Sequence, residues 1–301
     1  MSTARDLTRD ATATLTAAGV ESPGTDARRL LAYVLGMEPA SLLLDPVVDP
    51  DQRARYTRLV ARRAAREPLQ HLTGRAYFRH LELAVGPGVF VPRPETEVMT
   101  GWAIDRLREL RDTGPELHGT GRELHGVVRE PFAVDLCSGS GAIAAALASE
   151  VPGVRVAAVE RSPEAAEYAR RNLAGSGAEL IVADMTDVPR SWDETVDLVI
   201  ANPPYIPLEA FSSVAPEARD HDPAEALFSG DDGLDAIRTL VGLAARLLVD
   251  GGLLCFEHAD LQGESAPAVV LASAAFVAVR DRRDLTDRPR FVTAIRRDRR
   301  R

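Results

Sequence analysis

The stretch Phe132-Ala-Val-Asp-Leu-Cys-Ser-Gly-Ser-Gly141, running on into alanine-rich sequence up to Glu150, decides the fold. The apolar run FAVDLC predicts a strand, and Gly141–Glu150 predicts a helix, so the glycines fall at a strand-to-helix turn. Glycine there lets backbone approach a ligand closely, and the helix N-terminus offers free N–H groups. Glu160 closes the next apolar run, VRVAAVE, 19 residues beyond Gly141. A carboxylate at that strand end can take both hydroxyls of a ribose. Asp135 also ends a strand, within reach of the turn backbone or of a bound ammonium group. A nucleoside-type cofactor is the expectation.

Outward from this point the pattern is strand and helix in alternation. Pro163–Leu173 and Gly233–Leu248 predict helices. AELIVAD, VDLVIA and GGLLCFEHA predict strands, and Phe276–Arg280 and Phe291–Ile295 complete seven. Continuous apolar strands alternating with helices predict an α/β fold with a doubly wound, mostly parallel seven-stranded sheet. Upstream, Ser2–Ala18, Asp26–Leu35 and Asp51–Arg66 carry helical periodicity, with Thr25 as a candidate N-cap. Arg75–Val85 predicts a short β-hairpin turning near Arg79–His80. PRPETE, Pro92–Glu97, opens a helix to about Leu110, with Glu95 and Glu97 beside its positive end. Arg111–Arg129 predicts an exposed loop. The expected organisation is a helical substrate-recognition domain over 1–73, a hairpin linker over 74–92 and a catalytic domain over 93–301.

The composition narrows the chemistry. All 36 cations are Arg, with no lysine anywhere in the 301 residues. That excludes Schiff-base, pyridoxal-phosphate and P-loop chemistry, all of which need lysine. With GSG in place of GxGxxG, the turn is poorly suited to NAD or ATP phosphates. It suits S-adenosylmethionine, which carries a ribose and a carboxylate but no phosphate. Net charge is −9. Residues 1–93 hold 13 Arg and 10 acidic residues, and the remainder 23 and 35, so the chain divides into +3 and −12 parts. The acidic part argues against duplex nucleic acid, which demands phosphate neutralisation. Cys137 and Cys255 are too few for a disulfide framework and are expected as buried thiols. The six His lack metal-binding spacing. The N-terminus carries no apolar leader and no run is long enough to span a bilayer, so a cytoplasmic protein is expected. Arg55, Arg58, Arg62 and Arg66 share one helix face and are expected to be solvated, as is the terminal RRDRRR, Arg296–Arg301.

The most specific short signal is Asn202-Pro203-Pro204-Tyr205, directly after the VDLVIA strand. Prolines have no N–H, so the loop presents free carbonyls from a rigid backbone at the C-terminal edge of the sheet. An amide NH2 needs two acceptors and a flat wall. Asn202 Oδ1 and the Pro203 carbonyl supply the first, and Tyr205 the second. Held this way, a nitrogen lone pair faces an electrophilic methyl without a strong base. Orientation of this kind is worth roughly 7–11 kcal/mol.

Together these residues resemble the class I S-adenosylmethionine-dependent methyltransferases of the NPPY type. More narrowly, the chain resembles the protein-(glutamine-N5) methyltransferases that act on class 1 peptide chain release factors. EPLQHLTG (Glu67–Gly74), FVPRPETE (Phe90–Glu97), DLCSGSGAIA, ANPPYIP and DPAEALFSGDDGLDAIR (Asp222–Arg238) match that family in order and spacing. The resemblance implies methyl transfer to the glutamine amide of a Gly-Gly-Gln motif in a release factor. It implies that Asn202, Pro203, Pro204 and Tyr205 hold the amide. Asp135, Cys137, Ser138, Gly139, Ser140, Gly141, Glu160, Asp184 and Met185, with Asn202, would meet the cofactor. No metal, no membrane and no stable nucleic-acid partner are expected. Two departures stand out. The family usually has Gly where this chain has Cys137, a substitution that a β-type backbone would accept. The family commonly has EHG or EIG where this chain has Glu257-His258-Ala259, and no role is read there. Three other readings stay open: glutamine methylation of a ribosomal protein, N-methylation of an exocyclic amine in nucleic acid, and a non-catalytic cofactor-binding module.

Overall fold

The helical periodicity of the first 70 residues becomes four helices: α1 (Ala4–Ala17), α2 (Pro23–Leu35), α3 (Pro50–Ala64) and α4 (Leu69–Thr73). These come from a computed structural model that describes residues 2–113, 123–124, 127–128 and 130–298. Helix α3 begins with a capping box in which Asp49 and Gln52 each take the other's backbone N–H. Helix α2 starts earlier than the periodicity suggested. Ser22 is its N-cap and Pro23 its first residue, so Thr25 lies inside the first turn and caps nothing. Proline's fixed φ is already helical, and its missing N–H is one the first turn would leave unpaired. Leu15, Leu30 and Leu31 are wholly buried in the core these helices share. Each such side chain contributes about 1.5–3 kcal/mol.

The chain forms two compact units. The first is Met1–Arg75 with Val85–Pro87 and Val214–Asp222; the second is the remainder. A piece of sequence from far downstream, including α8 (Pro216–His221), thus belongs to the helical unit. Arginine explains its attachment. Arg66 grips Glu217 with two bonds, Nε to Oε1 at 2.7 Å and Nη2 to Oε2 at 2.6 Å. Arg63, buried on α3, donates to Glu217 Oε1 at 2.9 Å and to Asp26 Oδ2 at 2.8 Å. Of the stripe expected to be solvated, Arg55, Arg58 and Arg62 are exposed and Arg66 is half-buried. Arg62 pairs with Glu67, Arg66 with Glu217, and Arg55 lies over the Tyr33 ring.

The hairpin, which apart from Arg75 belongs to the second unit, consists of β1 (Arg75–Phe78) and β2 (Leu81–Ala84), with Arg79 at φ 54° in the turn. Helix α5 (Pro94–Thr113) follows. Most of the expected loop 111–129 lies outside the described residues; within it Glu123–Leu124 pair antiparallel with Val127–Val128. Seven strands make the main sheet: β3 (Phe132–Leu136), β4 (Arg155–Glu160), β5 (Glu179–Val182), β6 (Val196–Ala201), β7 (Leu248–Glu257), β8 (Phe276–Arg283) and β9 (Pro289–Arg296). Their order is β8-β9-β7-β6-β3-β4-β5. All pairs are parallel except those that β9 makes with β7 and β8. Side chains alternate between two cores. Val199 and Ala201 pack with α9 (Asp235–Leu247) and α10 (Ser265–Ala272). Leu198 and Ile200 pack with α5, α6 (Ala142–Glu150) and α7 (Pro163–Asn172). Burial on both faces explains the unbroken apolar strands. At the terminus, Arg296 is not solvated as expected: it donates to the Ala245 and Ala275 carbonyls, and residues 299–301 lie outside the described residues.

Among the described residues no helix is long and apolar enough to cross a membrane. Burial works to raise the Glu217 carboxyl, but hydrogen bonds from Arg66 and Arg63 outweigh it and hold it at about 2. A depressed carboxyl stabilises the fold above its unfolded pKa and loses that contribution as pH falls towards the folded one. Glu217→Gln is accordingly expected to cost about 3 kcal/mol at neutral pH, because Arg63 keeps Asp26 and the Glu67 carbonyl but loses its second carboxylate. Urea unfolding of both proteins should show the difference shrinking between about pH 4.5 and pH 2.

Candidate active site

One line of residues across the sheet sets the site. Val159, Leu136, Ala201 and Phe256 are register partners on β4, β3, β6 and β7. The next residue on each strand is Glu160, Cys137, Asn202 and Glu257. Four adjacent strands therefore deliver the Glu160 carboxylate, the glycine turn, the NPPY loop and the Glu257 carboxylate to one edge. This is the C-terminal edge, where parallel α/β sheets bind ligands.

In the glycine turn, Gly139 and Gly141 have φ of 57° and 79°. Cys137 has φ 62°, left-handed rather than β-type, so the expectation that a Cβ is tolerated there is corrected. Left-handed backbone costs a residue with a Cβ about 1–2 kcal/mol. The thiol is half-buried, not fully buried, and is pushed up to about 12 by loss of water and by the nearby Glu160 and Asp135. Cys255 is fully buried, as expected.

Asp135 is wholly buried. Its Oδ2 accepts from Ser138 Oγ at 2.6 Å and from the Ala144 N–H at 3.1 Å, while Oδ1 has no hydrogen-bond partner among the described residues. Burial raises this carboxyl to about 7. Glu160 is fixed by backbone N–H groups of Gly139 and Ser162, each at 2.7 Å and each on a different oxygen. Asp184 caps the short helical turn Met185–Asp187 through Thr186, whose N–H and hydroxyl hold its carboxyl below the usual range. Met185 packs half-buried against the core. Ser140 and Gly141 look inward. The Ser140 carbonyl accepts from Asn172 Nδ2 at 2.8 Å, and a Cβ on Gly141 would stand 3.3 Å from the α7 backbone at Ala169. Asn172 also exchanges two bonds with the Ala84 backbone, fastening β2 to the glycine turn. Nothing in the local sequence around Asn172 signals this role.

In the NPPY loop Pro203 is buried, while Asn202, Pro204 and Tyr205 are half-buried. Asn202 Nδ2 donates to Thr96 Oγ1 at 3.3 Å. Thr96 Oγ1 donates to Glu257 Oε2 at 2.6 Å, and Tyr205 OH donates to Glu257 Oε1 at 3.0 Å. Thr96 and Glu257 were passed over in the sequence, although both lie within quoted motifs. Glu95 and Glu97 drew the reading towards charge, whereas the contact runs through the hydroxyl between them. Loss of water raises Tyr205 well above its ordinary value, as does the neighbouring Glu257, so it stays a neutral phenol. Burial raises Glu257 against the bonds from Thr96 and Tyr205.

The DPAEALFSGDDGLDAIR block supports this loop. Ile206 N–H donates to the Leu227 carbonyl at 2.9 Å, and Ser229 N–H to Ile206 at 3.0 Å. A Cβ on Gly233, at φ 75°, would lie 2.3 Å from the Tyr205 carbonyl. Gln262 Nε2 donates to that same carbonyl at 3.0 Å.

The residues present fit S-adenosylmethionine. Asp135, Glu160 and Asp184, at the ends of β3, β4 and β5, suit a ligand bearing ammonium and sulfonium charge and would repel phosphate. Asp135 Oδ1 is a buried acceptor still lacking a donor. Among the described residues no group of His, Cys, Asp and Glu could hold a metal ion.

Residues 6–74 match the PrmC N-terminal domain and residues 124–217 the methyltransferase small domain. The chain is 53% identical over 284 residues to the release factor glutamine methyltransferase of Streptomyces coelicolor, covering 94% of this chain and 95% of that one. It is 46% identical over 298 residues to the protein of the same name from Mycolicibacterium smegmatis, covering 98% and 99%. A 4-amino-L-phenylalanine/4-methylamino-L-phenylalanine methyltransferase from Streptomyces pristinaespiralis is 41% identical over 266 residues, covering 88% and 86%.

Cys137→Gly removes the left-handed strain, at a cost in unfolded-chain freedom of about 0.5–1 kcal/mol. A net stabilisation of up to about 1 kcal/mol is expected from denaturant unfolding. A loss of stability on this change would show that the thiol packing outweighs the strain.

Proposed function

The chain belongs to the release factor glutamine methyltransferase family, and from that membership we propose that it methylates the side-chain amide N5 of the Gly-Gly-Gln glutamine in class 1 peptide chain release factors. The observation that carries the assignment of roles is the bond from Asn202 Nδ2 to Thr96 Oγ1, which leaves Oδ1 as the accepting end of the side chain.

S-adenosylmethionine is the methyl donor, and when bound it supplies an electrophilic methyl group. The glycine turn, with Asp135, Ser138, Gly139, Glu160 and Asp184, holds it. Asp135 Oδ1 takes the ammonium group, and Glu160 takes ribose hydroxyls with the lone pairs left after its two backbone bonds. Asn202 Oδ1 and the Pro203 carbonyl accept the two hydrogens of the incoming amide. Tyr205 supplies the flat wall, its hydroxyl tied to Glu257 so that the ring cannot swing away. Alignment, not proton abstraction, is the protein's main contribution. The helical domain, residues 1–73, recognises the release factor, the hairpin 74–92 links it, and residues 93–301 perform the transfer. The setting is the cytoplasm, with no stable nucleic-acid partner.

Purified protein, labelled S-adenosylmethionine and a release factor should place the label on the Gly-Gly-Gln peptide by mass spectrometry. Label on ribosomal protein, RNA or 4-amino-L-phenylalanine, with none on that peptide, would overturn the substrate assignment. Asn202→Ala should lower kcat by about 100-fold or more, as loss of a positioned polar group does, with cofactor affinity within a few-fold. Cofactor affinity should weaken below about pH 7, as Asp135 gains a proton and can no longer receive the ammonium group. In Asp135→Asn, calorimetry should find affinity reduced about tenfold or more and that pH dependence gone.

A further inference from the structure

Both polar side chains that would meet the acceptor amide hang from one carboxylate. Glu257 ends β7 with 1% of its surface exposed, and its two oxygens each receive a hydroxyl, from Thr96 and from Tyr205. We infer that Glu257, acting through Thr96, sets the donor–acceptor polarity of Asn202, so that these two residues are positioning residues for the transfer. The inference rests on the reading of Asn202 as the amide acceptor.

An asparagine amide is nearly symmetric in shape, so sterics alone do not decide which end faces the ligand. Polarity decides here. An ionised carboxylate can only accept hydrogen bonds. Thr96 has one hydroxyl hydrogen, and it is committed to Glu257 Oε2. Towards Asn202 the threonine oxygen can therefore only accept, which selects Nδ2 as the inward end. Asn202 Oδ1 is left facing outward as an acceptor. The reversed amide would oppose Oδ1 to an oxygen with no hydrogen to give, and would present NH2 to an incoming NH2. The same carboxylate holds the Tyr205 hydroxyl, so wall and acceptor are set from one point.

The surroundings favour the anion only partly. Arg290 from β9 opposes the burial that raises Glu257, Glu95 adds to it, and Thr96 and Tyr205 are its direct partners; Arg93, from the segment before α5, acts on the neighbouring Tyr205. A proton on Glu257 turns one of its oxygens into a donor and allows the relay to reverse. Turnover at saturating cofactor should therefore fall on the acid side.

The test compares Thr96→Val with Thr96→Ser in the release factor assay at saturating S-adenosylmethionine. Valine keeps the volume and removes the relay; serine keeps the hydroxyl. Thr96→Val is expected to lower kcat 10- to 100-fold with cofactor Kd within twofold, which also verifies folding, and Thr96→Ser to stay within threefold of the parent. In Glu257→Gln the acid-side fall in kcat should disappear. Wild-type kcat in Thr96→Val, equal impairment in Thr96→Ser, or an acid limb that persists in Glu257→Gln would each overturn the inference. If Asn202→Ala itself kept its kcat, the underlying reading would fail instead. An inactive Asn202→Ala beside a fully active Thr96→Val would remove the relay alone.

Discussion

Parallel pairing of β6 between β3 and β7, with β4 beyond, is the constraint on which the site depends. Because Val159, Leu136, Ala201 and Phe256 are in register, the four residues that follow them arrive together at one edge. Side chains alternate with period two, so a one-residue slip of β6 would put Ala201 or Pro203 where Asn202 now stands and turn each apolar side chain to the opposite face. Burial on both faces prevents that slip: Leu198 and Ile200 occupy one core, Val199 and Ala201 the other. The chemistry is held in place by apolar packing far larger in sum than any polar contact at the edge.

Carboxylates do the distinguishing work within that frame, and each does it differently. Asp135, Glu160 and Asp184 gather negative charge where a cationic cofactor belongs, and their geometry is set by backbone N–H groups or short hydroxyl bonds. Glu257 receives the hydroxyls of Thr96 and Tyr205, one on each oxygen. Glu217 receives two arginines and keeps a downstream segment in the helical unit. Guanidinium is well matched to this last task, since it offers several donors in a plane and remains charged when buried. A chain without lysine thus meets its need for fixed positive charge with Arg alone.

Much of this was legible in the sequence because it is local or periodic. The seven strands, the hairpin turning at Arg79–His80 and the helix opening at PRPETE all follow from apolar period and turn residues, and they lie where expected to within a few residues. The glycine turn, Glu160 and NPPY were visible as motifs. Thr25 was misread as a cap because the helix opens two residues earlier, at Pro23. Within the arginine stripe only Arg66 was misread, because its partner Glu217 is 151 residues away. Cys137 was read as a strand residue because its apolar neighbours conceal a left-handed turn.

What the sequence determined by itself was the class of fold and the cofactor chemistry, since these reside in short contiguous patterns with a physical reason for each residue. Tertiary structure alone decided which way Asn202 points, what steadies Tyr205, why Gly233 must be glycine and where the segment 214–222 belongs. Each of those depends on a hydrogen bond, an ion pair or a steric limit between residues distant in the chain. Such contacts leave no periodic trace, because the partner's identity matters only once the sheet has brought it near.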